Sequence, residues 1–117
     1  MAHSKTLQFD SPDETATFAK KLAHKLAPED VILLNGDVGA GKSYFCRALI
    51  QSVLKYDEDI PSPTFTLVQQ YDTGIGELWH ADLYRLSDPS EVIELGLLDA
   101  FDGAVVLVEW PDQIANF

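Results

Sequence analysis

The residues best placed to do chemistry form one run, Gly36-Asp37-Val38-Gly39-Ala40-Gly41-Lys42-Ser43, which reads G-x-x-x-x-G-K-S. Glycines at 36, 39 and 41 remove the Cβ atoms that would stop a backbone from turning its N–H groups inward around a polyanion. The amides of Asp37, Val38 and Ala40 belong to the same cradle. Lys42 would bring a cation to the β- and γ-phosphates of a nucleoside triphosphate, and the Ser43 hydroxyl would ligate Mg2+. A plain glycine-rich turn before a helix would instead leave Lys42 facing the positive end of a helix dipole with nothing to offset it. The spacing therefore implies a phosphate-binding loop and a nucleotide ligand.

Hydrolysis or transfer also needs acids that hold Mg2+ and water. Glu109 ends the apolar run Ala104-Val105-Val106-Leu107-Val108. Strand polarity brings such an end beside the loop, where an acid is the Walker B ligand of Mg2+. The alternative is a surface acid closing a strand. Asp82 stands in Trp79-His80-Ala81-Asp82-Leu83-Tyr84-Arg85. Alternation puts His80, Asp82 and Tyr84 on one face and Trp79, Ala81 and Leu83 on the other. That polar face suits a site, or equally the solvated side of a hairpin. His80 alone is no evidence for a metal or a base. Thr64 lies in Ile60-Pro61-Ser62-Pro63-Thr64-Phe65, a stretch held extended by two prolines. It is either a sensor of the γ-phosphate on a closing loop or a turn hydroxyl. Trp110-Pro111 offers a stacking surface or closure of the core. No Asn-Lys-x-Asp segment occurs, and Arg47 and Arg85 are the only arginines. ATP is thus favoured over GTP, and hydrolysis over transfer to a second phosphorylated substrate.

The elements that must position these groups follow from periodicity and punctuation. Val31-Ile32-Leu33-Leu34 is a strand before the loop. After the loop a helix presents Phe45, Leu49, Ile50, Val53 and Leu54 inward and runs to about Lys55. Upstream, Thr6-Leu7-Gln8-Phe9 alternates as a short strand. Ser11-Pro12-Asp13-Glu14 opens a helix with a cap, a first-turn proline and a capping-box glutamate. Phe18, Leu22 and Leu26, with Ala19 and Ala23 beside them, form its apolar stripe, and Pro28 ends it. Strands over 66–71 and 78–83 flank a glycine-bearing hairpin loop over 72–77, and a short helix opens at Ser87 and runs to about Glu94. The order predicts an α/β, three-layer P-loop NTPase-like fold. Its central sheet is mixed, parallel strands plus an antiparallel hairpin, with strands 31–34 and 104–108 in the centre.

Composition sets the outer bounds. A chain of 117 residues with 46% hydrophobic content is expected to form one domain over 1–117 with a real core. No apolar run approaches the ~20 residues of a membrane span, and no secretory signal is visible at the N-terminus. The lone Cys46 falls in a predicted helix, where packing in a reducing cytoplasm suits it. A net charge of −11 argues against nucleic-acid binding by the chain itself, though not against work on RNA held by a partner. The same charge serves solubility, or the docking of a basic partner.

Four segments taken together resemble the TsaE (YjeE) family: Gly36 to Ser43, Ser62-Pro63-Thr64-Phe65-Thr66-Leu67-Val68, His80-Ala81-Asp82-Leu83-Tyr84-Arg85-Leu86 and Val108-Glu109-Trp110-Pro111. The resemblance implies a Mg2+-dependent ATPase of tRNA N6-threonylcarbamoyladenosine formation. Such an ATPase is slow alone, acts with the TsaD–TsaB pair and meets tRNA only through those partners. By the same resemblance Lys42 and Ser43 hold phosphate and Mg2+, Thr64 lies on a switch-like loop, and Asp82 is an essential strand acid. Glu109 with Trp110 is the Walker B stretch, and Thr15 on the capped helix is a contact for the base. Ser43 stands where the family commonly has threonine, which preserves the hydroxyl. The chain stops at Phe117, so it is expected to lack a C-terminal extension present in the family. Two other readings accompany this one: a non-catalytic ATP-sensing module that docks a partner, and a small-molecule kinase.

Overall fold

Residues 11–34, 41–55, 60, 67–84, 88, 90–91 and 95–110 are described by the computed structural model. Ser11, in extended backbone, accepts a hydrogen bond from Glu14 N at 3.2 Å, so the predicted cap forms and α1 (Pro12–Ala23) begins at Pro12. The helix ends sooner than Pro28. Lys25 N bonds Leu22 O and Leu26 N bonds Ala23 O, a tightened last turn. Ala27 N then donates to Asp30 Oδ2 at 2.8 Å around Pro28. Proline disfavours helical backbone in the residue before it, so the chain has already left the helix when it reaches Pro28.

The remaining elements are β1 (Val31–Leu34), α2 (Lys42–Val53), β2 (Val68–Thr73), β3 (Gly76–Asp82), α3 (Leu97–Ala100) and β4 (Val105–Glu109). The four strands form one mixed sheet in the order β1-β4-β3-β2. β4 runs parallel to both neighbours, and β2 pairs antiparallel with β3. The fold class is therefore the expected α/β type with a mixed sheet. Strand 104–108 is central, as its unbroken apolar run requires. Strand 31–34 is not: among the described residues it forms the sheet edge, with Val31 and Leu33 at 40% and 54% exposure.

Other boundaries differ too. The hairpin loop is shorter than expected, because the strands continue to Thr73 and Gly76 and leave Gly74-Ile75 as the turn. Thr73 Oγ1 secures it, donating to Gly76 O at 2.6 Å and accepting from Ile75 N at 3.1 Å. α2 stops at Val53, where Leu54 turns extended to bridge Thr73. α3 was not expected. Of the helix expected from Ser87, only Asp88, Ser90 and Glu91 are described, joined by Ser90 N to Asp88 Oδ1 and Asp88 N to Glu91 Oε1 bonds. The expected strand 6–9 lies outside the described residues.

The two faces of the sheet carry separate cores. Ile32, Leu78 and Leu107 pack with Phe45, Cys46, Leu49 and Ile50 of α2 and Ala19 and Ala23 of α1. Ala81, Leu83, Val106 and Val108 pack with Leu97 and Ala100 on the other side. The result is helix, sheet and helix in three layers. Since α2 is clamped to the sheet by Leu49, Ile50 and Cys46, its N-terminus is fixed over the C-terminal ends of β4 and β3.

Candidate nucleotide and metal site

That junction gathers the chemistry. Gly41 precedes α2 with φ +90°, and a Cβ built there would meet nothing within 4 Å, so the backbone angle rather than space demands glycine. The first two residues of α2 then turn inward. Ser43 Oγ donates to Glu109 Oε1 at 3.0 Å, spanning 66 residues of sequence. Lys42 is buried, with its ammonium 3.5 Å from the centre of the Trp110 ring. At that distance the ring face attracts the cation by about 0.5–2 kcal/mol. The Trp110 ring in turn lies 4.8 Å from the Tyr84 ring, and the Trp110 backbone N–H donates to Leu34 O at 3.3 Å. It adopts φ +60°, a left-handed conformation costly for a bulky residue. In this conformation the indole lies between the Lys42 ammonium and the Tyr84 ring.

Asp82 lies directly opposite Glu109 in the β3–β4 register, and both carboxylates are buried. Asp82 Oδ1 accepts from Tyr84 N at 3.1 Å. Glu109 Oε2 sits 2.7 Å from His80 Nε2, with both side chains 2% exposed. The polar face of β3 is therefore the inner one at His80 and Asp82; only Tyr84, 53% exposed, faces solvent. The solvated-hairpin alternative fails because α2 covers that face, with Cys46 close to His80 and Glu109.

Beneath the carboxylates lies Cys46, fully buried on the same side of α2 as Ser43. Burial pushes its thiol well above the ordinary value, and the negative charges of Glu109 and Asp82 push it further. Cys46, His80 and Glu109 bring ligand atoms within 4.8 Å of one another. A thiol held protonated is a poor metal ligand, however. The oxygen donors of Ser43 and Glu109, already 3.0 Å apart, form the better pair, and hydroxyl and carboxylate oxygens fit Mg2+.

Of the residues named from the sequence, Lys42, Ser43, Asp82, Glu109 and Trp110 are brought together. Thr15 is not joined to them by any described contact; its hydroxyl donates to Ser11 O at 3.3 Å within its own helix. Gly36, Asp37, Val38, Gly39, Ala40 and Thr64 lie outside the described residues. Two participants were missed. His80 shares Asp82's face by simple alternation, which was the available signal, but its partner is 29 residues away. The ring contact between Tyr84 and Trp110 left no local trace.

A glycine in left-handed backbone, Lys-Ser at a helix start, and two acids at the ends of adjacent parallel strands define a P-loop NTPase-like α/β protein. The comparisons agree. The family model for threonylcarbamoyl adenosine biosynthesis protein TsaE matches residues 9–117. The tRNA threonylcarbamoyladenosine biosynthesis protein TsaE of Rickettsia felis is 45% identical over 94% of this chain, and that of Bacillus subtilis 43% identical over 89%. The crystal structure of Bacillus subtilis YdiB superposes with a TM-score of 0.69 at 34% identity over 91% of this chain. The chain belongs to the TsaE family. It spans 64% of the Rickettsia protein, 65% of the Bacillus one and 64% of the YdiB chain.

Proposed function

We propose that the chain binds ATP with Mg2+ and hydrolyses it in the service of tRNA threonylcarbamoyladenosine formation. It would act in the cytoplasm with TsaD and TsaB and reach tRNA through them. The reading is carried by the 3.0 Å bond from Ser43 Oγ to Glu109 Oε1, which joins the P-loop hydroxyl to the acid of the central strand. Mg2+, when bound, neutralises charge on the phosphate oxygens. Ser43 and Glu109 are the residues that would hold it.

The chain's own groups divide the remaining work. Lys42 carries positive charge towards the β- and γ-phosphates, and Trp110 keeps that ammonium at the site through its ring face. Asp82 supplies a carboxylate that would orient the attacking water and accept its proton. Buried walls around Asp82 and Glu109 lower the local dielectric, so each charge acts more strongly there than at an exposed surface.

ATP turnover by the wild type and by Lys42→Ala, Asp82→Ala and Glu109→Ala, each with and without TsaD–TsaB, tests the proposal. Each variant is expected to lose on the order of 100-fold or more in turnover, the scale for removing one electrostatic group from an active site. The partner pair is expected to change the wild-type rate. Tight ATP binding combined with turnover indifferent to Asp82→Ala and Glu109→Ala would replace this reading with that of a docking module.

A further inference from the structure

We infer that His80 is a positioning residue for Glu109, its Nε2–H gripping Oε2 so that Oε1 is aimed at Ser43, an inference that rests on the reading of Glu109 as a Mg2+ ligand. A carboxylate with 2% exposure is costly unless its oxygens are hydrogen-bonded. Here Ser43 takes Oε1 at 3.0 Å and His80 takes Oε2 at 2.7 Å. Ser43 is itself a proposed ligand. The donor that stays with the carboxylate whatever occupies the site is therefore His80.

The fold makes this ring a fixture. His80 belongs to a strand paired on both sides, opposite Gln69 of β2 and Leu107 of β4. Its Cα is therefore held by the interior of the sheet rather than by a loop. Register sets Asp82 opposite Glu109, so a residue two positions earlier on the same face lies diagonally beneath the Glu109 side chain. Cys46, one turn beyond Ser43, closes the space with its Sγ within 4.8 Å of the ligand atoms of His80 and Glu109. The contact with a carboxylate oxygen assigns the ring proton to Nε2. Nδ1 is buried with no hydrogen-bond partner among the described residues, so Glu109 is the ring's polar contact there.

Three substitutions separate positioning from mere packing. In His80→Gln the side-chain nitrogen falls near the place of Nε2; in His80→Asn it is one bond short; His80→Leu has no donor. The readouts are calorimetric binding of a non-hydrolysable ATP analogue with and without Mg2+, and the Mg2+ dependence of ATP turnover. Partners that orient a metal ligand are typically worth about 10–100-fold in metal affinity or activity. His80→Asn and His80→Leu are thus expected to raise the Mg2+ requirement about 10-fold or more, with His80→Gln within about threefold of wild type. Binding of the analogue in EDTA is expected to be unchanged in all three. Equal behaviour of the Gln and Asn variants overturns the inference, and so does a parallel loss of metal-free nucleotide binding. If His80→Leu fails to fold, as circular dichroism would report, the Gln and Asn pair decides. Glu109→Gln is measured alongside. An affected Glu109→Gln with indifferent His80 variants overturns the inference alone, whereas an unaffected Glu109→Gln overturns the Mg2+ reading and takes the inference with it.

Discussion

Cys46 lets one side chain report on the charges around it. Burial raises its thiol above the ordinary value of 9.0, and Glu109 and Asp82 add to the rise. The unfolded thiol therefore loses its proton at lower pH than the folded one. Below the unfolded value both states are protonated and stability is untouched; above it the unfolded state gains from ionising and stability falls. The slope from this group is at most about 1.4 kcal/mol per pH unit. Urea midpoints between about pH 7.5 and 10 should fall more steeply for wild type than for Cys46→Ala. Equal slopes would mean that the folded thiol ionises freely. Residue types and spacing alone marked Lys42, Ser43 and Glu109 for this neighbourhood, because a P-loop and a strand-end acid are local patterns. Partnership was not legible. The Ser43–Glu109 and His80–Glu109 bonds cross 66 and 29 residues and depend on which strands pair and in what register.

At the scale of elements, legibility followed the same division between local and distant causes. The start of α1 was readable because the cap, the proline and the acidic first turn lie within four residues. The end of β2 and the start of β3 were not, since Thr73 and Gly76 owe their strand state to pairing with each other and to a threonine hydroxyl bridging the turn. The edge position of β1 was likewise hidden, because Val31 to Leu34 is as apolar as a buried strand. Its pairing with β4 alone, among the described residues, is a fact of topology. The α1 cap can be tested directly. α1 packs against α2 through Ala19, Ala23 and the tilted Phe18–Phe45 pair, so its fraying loosens the helix that carries Lys42 and Ser43. Ser11→Ala removes the acceptor for Glu14 N and should cost about 1 kcal/mol, seen as a lower urea midpoint at unchanged m, while Ser11→Asp should restore most of it. A Ser11→Ala midpoint equal to wild type would show that packing on α2 alone sets the start of α1.

For the whole molecule, the balance of charge decides how it can meet RNA. The chain carries 8 Lys plus Arg against 19 Asp plus Glu, a net charge of −11. Among the described residues the most deeply placed cation, Lys42, is engaged inside the site, and Lys55 pairs with Asp72 at 3.3 Å. Lys20, Lys21 and Lys25 lie on or just beyond α1 and Arg47 on α2, but α1 also opens with Asp13 and Glu14. Basic proteins bind RNA or DNA without sequence preference at about 10⁻⁴–10⁻⁶ M in physiological salt, through the release of counterions by clustered cations. A surface this acidic repels the same phosphate backbone at a distance and offers few cations on contact. The chain alone should therefore bind tRNA more weakly than about 10⁻⁴ M at 0.15 M salt, whether or not ATP is present. If the proposed pairing with TsaD and TsaB holds, adding them should bring chain and tRNA into one complex that the chain alone does not form. Fluorescence anisotropy of labelled tRNA, titrated with the chain and then with the pair, measures both steps. Micromolar binding by the chain alone, weakening with added salt, would show that its few cations form a nucleic-acid surface after all, and the role assigned to the partners would have to be given up.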